Sequence, residues 1–313
     1  MAILTKTYHL YKFGQLRDNF GMCRLFGFRS IFNNQVHSSL VHAENALGNL
    51  SQKHRDGWGV AYYLDEVPHL IKSVNCAFDD HIFHKVSGVV SSQNVVAHIR
   101  YATNGSSTIL NSHPFQFGKW IFAHNGNIKN FDKHKEKLLK LVDKDHCAHI
   151  LGSTDSEIIF HIILSELKRN NLLYSSANSK TQISKYTQCL KNSLEAICNI
   201  IGELTDRDDA DPKESYLTFI LTNGSTYFAF QGGQPLHYST HKSLCPERET
   251  CKFFDVSCEN KSSLDEKVNH LLISSEPLVG DNIWTKMNFG ELVCLDSDMT
   301  LGKEKFPLPL SKS

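Results

Sequence analysis

Short apolar runs separated by turn residues dominate the first half of the chain, and this pattern limits the possible folds more than any other feature. Such runs are typical of short strands. Mixed strands and long helical patterns without strict βαβ alternation indicate an α+β layered domain. The strands predicted in this half are Leu25–Phe28, Trp58–Tyr63, Val95–Ile99 and Trp120–Ala123.

Helical patterns follow these strands. The Lys-rich stretch Phe131–Val142 has apolar residues at helical spacing, which predicts an exposed helix. Thr154 and Glu157 have the spacing of a capping box, so a second helix is expected to begin there with Asp155 in its first turn. A third helix is predicted from the apolar spacing of Leu190–Ile201.

The second half contains the clearest local signal, because Asn223-Gly224 stands between two apolar runs and predicts a hairpin. The acidic stretch Asp206–Glu214 predicts a loop, and it is the weakest point for a domain boundary. Strands on both sides of that loop can still belong to one pair of sheets. The strands predicted in this half are Tyr216–Leu221, Thr226–Phe230, Phe253–Val256, Leu271–Ser274 and Leu292–Leu295.

Composition excludes several classes of protein. Lys plus Arg and Asp plus Glu both number 33, so no net field draws the chain to nucleic acid or to an anionic membrane. No apolar run is long enough to span a bilayer, and residues 1–22 lack an export signal. The nine cysteines are an odd number without a dense framework, which favours reduced thiols. We therefore expect a cytoplasmic protein.

A metal site has only weak support in the sequence, although 17 histidines are more than usual. The pairs His81/His84 and His146/His149 have helical spacing, but neither has a nearby set of carboxylate and cysteine ligands. We expect these histidines to be surface or packing residues, and we expect no cofactor. The basis for a zinc alternative is a loosely spaced cysteine series, Cys245, Cys251 and Cys258.

The motifs that carry chemistry gain their meaning from their order. A lone cysteine entering a strand is by default a buried structural residue, and His-Asn-Gly alone predicts a hairpin turn. The chain nevertheless carries a series of motifs in one fixed order. They are Cys-Arg-Leu-Phe-Gly from Cys23, Asp-Gly-Trp-Gly from Asp56, His-Ile-Arg-Tyr-Ala-Thr from His98, Asn-Ser-His-Pro-Phe from Asn111, His-Asn-Gly-Asn-Ile from His124 and Thr-Asp-Ser-Glu from Thr154.

This series closely resembles the glutaminase domain of the class II glutamine amidotransferases. The motif Ser-Glu-Pro-Leu at Ser275–Leu278 resembles small stand-alone members, such as the amidohydrolase of ergothioneine synthesis and the amidotransferase-like subunit of glutathione-degrading complexes. The resemblance implies a four-layer αββα sandwich of the N-terminal-nucleophile hydrolase type, formed by residues 23–313 as a single domain. It also implies hydrolysis of the γ-amide of glutamine or of a γ-glutamyl compound.

The resemblance assigns the reacting groups to three residues. Cys23 is the nucleophile, and its own α-amino group takes the thiol proton because an α-amine has a pKa of about 8. The side-chain amide of Asn125 and the backbone N–H of Gly126 form the oxyanion hole, in which glycine allows a close approach of the backbone. The family requires the nucleophile to be the first residue of the active form.

The same resemblance assigns a clamp for the amino-acid end of the substrate. Arg100 matches the arginine that holds the α-carboxylate, and Asp155 matches the carboxylate that pairs with the α-ammonium group. Thr103, Asn104 and His113 match positions that line the pocket, with individual roles left open.

Two departures from the family pattern leave alternatives open. Twenty-two residues precede Cys23, so we expect residues 1–22 to be absent from the active form, through translation from Met22 or cleavage of a propeptide. No synthase domain follows within the 313 residues. Water is then the acceptor, or a separate synthase subunit takes the ammonia. The remaining alternative is a catalytically silent protein that binds a γ-glutamyl compound as a regulator.

Overall fold

The computed structural model describes residues 23–35, 40–41, 47–51, 56–100, 107–175, 180–206, 213–246 and 248–311. Two antiparallel sheets stack face to face, and helices cover the outer side of each sheet. The strands, in chain order, are β1 (Arg24–Gln35), β2 (Trp58–Leu64), β3 (Val67–Ser73), β4 (Ser91–Ile99), β5 (Phe115–Phe117), β6 (Trp120–Asn127), β7 (Tyr216–Thr222), β8 (Tyr227–Phe230), β9 (His237–Ser239), β10 (His270–Ser274), β11 (Thr285–Lys286), β12 (Glu291–Leu295) and β13 (Leu301–Lys305).

The seven-stranded sheet has the order β11-β9-β10-β1-β4-β2-β3, and the six-stranded sheet has the order β13-β12-β8-β7-β6-β5. The first strand, β1, therefore lies inside its sheet, between β10 and β4. The helices are α1 (Leu47–Leu50), α2 (His81–Val89), α3 (Phe131–Leu139), α4 (Lys144–Cys147), α5 (Asp155–Arg169) and α6 (Lys180–Ile201).

Successive side chains along each strand point to opposite faces of the sheet, so they pack in different layers. In β6, Trp120 and Phe122 pack among the buried residues of α3, α5 and α6, whereas Ile121 and Ala123 pack between the two sheets. On the far side, Phe83 of α2 packs against the outer face of the seven-stranded sheet. Burying each such large apolar side chain contributes about 1.5–3 kcal/mol. The predicted α+β, four-layer αββα sandwich is confirmed.

Most of the predicted elements are present. The strands of the first half, the three helices and the hairpin of β7 and β8 all form. The hairpin turn is held by the side-chain oxygen of Asn223, which accepts hydrogen bonds from the backbone N–H groups of Ser225 and Thr226. Gly224 has a φ of 91°, a conformation that favours glycine.

The strand predicted at Phe253–Val256 is wrong. The chain there makes turns and a short 3-10 helix, and Phe253 stacks on Phe32 with ring centroids 4.7 Å apart. Phe253 therefore anchors a loop to β1. Apolar content alone does not distinguish such an anchor from a short strand. Helices α1, α2 and α4 and the strands β3, β5, β9, β11 and β13 were not predicted.

Strands β6 and β7 are neighbours in one sheet, although α3, α5, α6 and the acidic stretch lie between them in the chain. The pairing runs from Ile121 opposite Thr222 to Asn127 opposite Tyr216. The stretch Asp206–Glu214, most of which lies outside the described residues, thus joins elements that pack on the same sheet. None of the helices in the described ranges has the length and apolarity needed to cross a membrane.

Candidate active site

Cys23 stands immediately before β1 and lies next to Arg100 at one end of the seven-stranded sheet. The register pairs Arg24 with Ile99, so the next positions outward are Cys23 on one strand and Arg100 on the other. Burial lowers the pKa of the Arg100 guanidinium, while its electrostatic interactions with Cys23 and Asp56 act in the opposite direction. A cation is therefore held beside the cysteine.

Hydrogen bonds to Ser275 fix the backbone of the residues that follow Cys23. The hydroxyl of Ser275, just past the end of β10, accepts a hydrogen bond of 2.9 Å from the backbone N–H of Leu25. The N–H of Ser275 donates in return to the carbonyl of Leu25, at 3.1 Å. The next residue, Glu276, forms an ion pair with Arg24 at 3.9 Å. The Ser275–Leu278 motif thus holds the residues that follow Cys23 in place.

Asn125 and Gly126 occupy the end of β6 in the other sheet. Asn125 continues the face of Ile121 and Ala123, so its side chain belongs to the space between the sheets. It is buried. At Gly126, an added Cβ would meet the ring of His124 and would come within 2.5 Å of the Tyr216 carbonyl oxygen. Only glycine fits there without a shift of its neighbours.

Asp155 opens α5 beside the end of β6. One carboxylate oxygen accepts a hydrogen bond of 2.8 Å from the N–H of Ile128, and the other accepts one of 2.8 Å from the N–H of Ser156. Burial raises the pKa of Asp155, while these hydrogen bonds act to lower it. The carboxylate is therefore held in one orientation, just past Asn127.

The predicted start of α5 is confirmed, with one difference in its capping. The hydroxyl of Thr154 accepts from the N–H of Glu157 at 3.3 Å, as a capping box requires. The carboxylate of Glu157 does not bond back to Thr154. It accepts instead from the N–H groups of Leu151 and Gly152, at 2.9 and 2.7 Å. This arrangement ties the loop before the helix to the helix itself.

His113 lies between the ends of the two sheets. Its ring centroid is 4.4 Å from that of His98 on β4 and 6.5 Å from that of His124 on β6. Burial lowers the pKa of His113 well below its usual value, and the neighbouring His98, His124 and Lys72 lower it further. The ring is consequently neutral, and it packs against the rings of His98 and Phe115.

The structure brings six of the eight predicted site residues to one end of the sandwich. They are Cys23, Arg100, His113, Asn125, Gly126 and Asp155. Thr103 and Asn104 lie outside the described residues. Sequence reasoning assigned no role to His98 or His124, although both belong to the quoted motifs. Sequence reasoning also did not predict the contact between Ser275 and β1.

The described ranges contain no group of three or more His, Cys, Asp and Glu side chains arranged to hold a metal ion. Cys245, Cys251 and Cys258, on which the zinc alternative depended, do not form such a group among the described residues. A cavity of about 530 Å³ lies at the opposite end of the sandwich from Cys23, where it is lined by turns that include Gly118, Lys119 and Asn223. None of the predicted site residues lines it.

The αββα layers, with a cysteine entering an inner strand of the first sheet, define a fold of the N-terminal-nucleophile type. A family model described as "Glutamine amidotransferases class-II" matches residues 22–307. The chain belongs to this family, which confirms the resemblance seen in its motifs.

Individual proteins agree with this assignment. The chain is 28% identical over 265 residues to the probable glutamine amidotransferase DUG3 of Saccharomyces cerevisiae, with 79% of this chain and 71% of that protein covered. It is 25% identical over 281 residues to the Escherichia coli protein YafJ, with 88% and 98% covered. Among solved structures, a glutamine aminotransferase class-II domain protein from Silicibacter pomeroyi has a TM-score of 0.58 at 18% identity, with 92% and 100% covered. At that identity the likeness supports the fold alone.

Proposed function

We propose that this protein hydrolyses the γ-amide of glutamine or of a γ-glutamyl compound through a thioester on Cys23. The observation that carries the proposal is the placement of Cys23 beside Arg100, at the end of the sandwich that also holds Asn125. A guanidinium beside a sulfur stabilises the thiolate, which is the nucleophilic form of cysteine. Membership of the amidotransferase family supports the same chemistry.

The substrate is held at its amino-acid end before it reacts. The guanidinium of Arg100 presents a planar pair of donors, which fits the α-carboxylate of a glutamyl group. The carboxylate of Asp155, oriented by Ile128 and Ser156, pairs with the α-ammonium group. Both charges of the amino acid are thereby matched, and the γ-amide is directed towards Cys23.

The reaction then proceeds in two halves. The sulfur of Cys23 attacks the γ-carbonyl carbon, and the side chain of Asn125 and the N–H of Gly126 donate to the resulting oxyanion. The α-amino group of Cys23 takes the thiol proton and passes it to the leaving nitrogen, so that ammonia or an amine departs and a γ-glutamyl thioester remains. Water attacks the thioester, glutamate leaves, and the thiol regains its proton.

Acceptor-free release of glutamate tests this function. We expect protein expressed from Met22 to hydrolyse glutamine or another member of a panel that includes glutathione and γ-glutamyl dipeptides, because water can complete the second half of the reaction. Released glutamate is the quantity measured. Correctly processed protein that binds a panel member without turnover would support the silent regulator. Complete inactivity, reversed only by a synthase partner, would support an ammonia-donating subunit.

The clamp and the oxyanion hole are expected to fail in different ways. Arg100→Lys keeps the charge but loses the paired donors, so KM for glutamine should rise by about 10- to 100-fold with a much smaller effect on the melting temperature. Asn125→Ala should instead lower kcat by about 100- to 1000-fold with little change in KM, because the oxyanion exists only near the transition state.

Steady-state kinetics and thermal unfolding of both variants provide the comparison. An unchanged KM in Arg100→Lys would remove that residue from the substrate clamp. Equal losses in kcat and in binding for Asn125→Ala would contradict its assignment to the oxyanion hole.

A further inference from the structure

The two charged residues of the substrate clamp belong to different layers of the sandwich. Arg100 stands just past the end of β4 in the seven-stranded sheet, whereas Asp155 opens α5, which packs on the six-stranded sheet. The α-carboxylate and the α-ammonium group of an amino acid are attached to one carbon atom, so their two partners must keep a constant separation. A contact that joins the two layers is needed to set that separation.

The segment Asn111–His113 is attached to the seven-stranded sheet. The Nζ of Lys72 on β3 donates to the carbonyl of Ser112 at 2.8 Å. The ring of His113 packs on that of His98 on β4, with the ring centroids 4.4 Å apart. The segment is thus held by two strands of the sheet that carries the guanidinium of the clamp.

The side chain of Asn111 connects this segment to the start of α5. Its Oδ1 accepts a hydrogen bond of 2.9 Å from the backbone N–H of Ser153, and its Nδ2 donates to the hydroxyl of Ser153 at 3.2 Å. Asn111 is buried, and hydrogen bonds are stronger in the interior than in contact with water. Ser153 stands two positions before Asp155, next to the capping residue Thr154. The carboxamide therefore joins the first turn of α5 to the other sheet.

Gly152 allows the close approach of the two segments. A Cβ added there would lie 2.5 Å from the Oδ1 of Asn111 and 2.9 Å from a carboxylate oxygen of Glu157. The N–H of Gly152 donates to that same carboxylate of Glu157, in the first turn of α5, at 2.7 Å. The backbone before the helix consequently packs directly on the carboxamide, and a shift of Asn111 is passed to the start of α5.

We propose that Asn111 is a positioning residue for substrate binding, which keeps the carboxylate of Asp155 at the distance from Arg100 that fits the two charged groups of an amino acid. This inference rests on the proposed function, in which those two residues bind the α-ammonium group and the α-carboxylate. Asn111 is buried and acts through the start of α5 rather than by touching the substrate. Its contribution is therefore specific to substrates that carry an α-ammonium group.

The variant that tests this role is Asn111→Ala. It is assayed with a substrate that the wild-type protein hydrolyses and with the same compound lacking its α-amino group, which is 4-carbamoylbutanoate in the case of glutamine. We expect KM for the amino-acid substrate to rise about tenfold with little change in kcat, because the ammonium group is bound equally in the substrate and in the transition state. With the deamino compound, both constants should stay within about twofold of the wild-type values.

Asn111→Asp is the conservative variant. A carboxylate at this position still accepts from the N–H of Ser153, and the hydroxyl of Ser153 can donate to its second oxygen. We therefore expect this variant to keep most of the preference for the amino-acid substrate that Asn111→Ala loses.

Asn94→Ala is the matched control for stability. Asn94 is also buried and also joins the two sheets, because its Nδ2 donates to the hydroxyl of Thr222 at 2.9 Å, beside the turn between β7 and β8. Both alanine variants remove buried hydrogen bonds, so both should lower the melting temperature. Only Asn111→Ala should change the preference between the two substrates.

Three results would overturn the assignment of Asn111. They are an unchanged preference in Asn111→Ala, equal losses of kcat/KM with both compounds, and a wild-type protein that shows no preference, since Asp155 would then bind no ammonium group. The wild-type protein separates this inference from the proposed function. If the wild type hydrolyses and prefers the amino-acid substrate while Asn111→Ala keeps that preference, only the role of Asn111 is lost. If the wild type hydrolyses no γ-glutamyl compound, the proposed function itself is wrong.

Discussion

Replacement of Cys23 by alanine is expected to abolish hydrolysis of every γ-glutamyl amide while the protein remains folded. No other cysteine belongs to the ordered motifs, so no second thiol can replace the nucleophile. Loss of a catalytic nucleophile typically lowers kcat by about 10⁴- to 10⁶-fold. Cys23 is only half-buried and precedes the first strand, so the melting temperature should change little. Glutamate release and thermal unfolding measure the two effects.

Cys76→Ala is the matched control for this variant. Cys76 is also half-buried, and its sulfur contacts the Ser51 carbonyl at 3.3 Å. Its removal should leave turnover unchanged. The diazo-ketone analogue of glutamine should add to Cys23 in the wild-type protein and to no residue of Cys23→Ala. Modification of a different cysteine would show that the nucleophile is assigned incorrectly.

Removal of residues 1–22 is expected to switch the enzyme from inactive to fully active. With those residues attached, the nitrogen of Cys23 is an amide, which has no basic lone pair to take the thiol proton. Translation from Met22 followed by methionine removal exposes the required α-amine, and a methionine directly before the nucleophile favours that route over a propeptide. Residues 1–22 lie outside the described part of the chain, so this prediction depends on chemistry alone.

Two forms of the protein test this requirement. Protein expressed from Met22 should show full activity, and protein with an extension that cannot be cleaved should show none. Intact mass must establish the first residue of each sample before the kinetics are compared. Strong glutaminase activity from a sample that retains residues 1–22 would rule out the α-amine as the base.

The fold was predictable wherever short-range chemistry determines structure. The Asn223-Gly224 turn and the Thr154 cap each depend on contacts within a few residues, and both form as expected. Helix α2 was missed, although Asp80 caps it by accepting from the N–H of Ile82. The same carboxylate also accepts a hydrogen bond from the ring nitrogen of Trp58, a contact between distant residues that the sequence does not show.

The site was predictable only in part, for a different reason. The motifs identified Cys23 and Arg100, but no pattern in the sequence shows that the register of β1 and β4 brings them together. The role of Ser275 was missed because it comes from a contact with a distant residue, the hydrogen bond between Ser275 and Leu25 across 250 positions. Contacts of this length leave no periodic signal in a single sequence.

The bond between Ser275 and Leu25 also has a consequence for the order of events during synthesis. Strand β1 pairs on one side with β4, about 70 residues later, and on the other with β10, close to the end of the described chain. Domains are completed as the chain leaves the ribosome, and long-range strand pairs form last. The segment around Cys23 therefore stays open on one side until β10 has been translated. We expect aminopeptidases to have access to the new amino terminus throughout that interval. The methionine before Cys23 would then be removed before β10 pairs with β1.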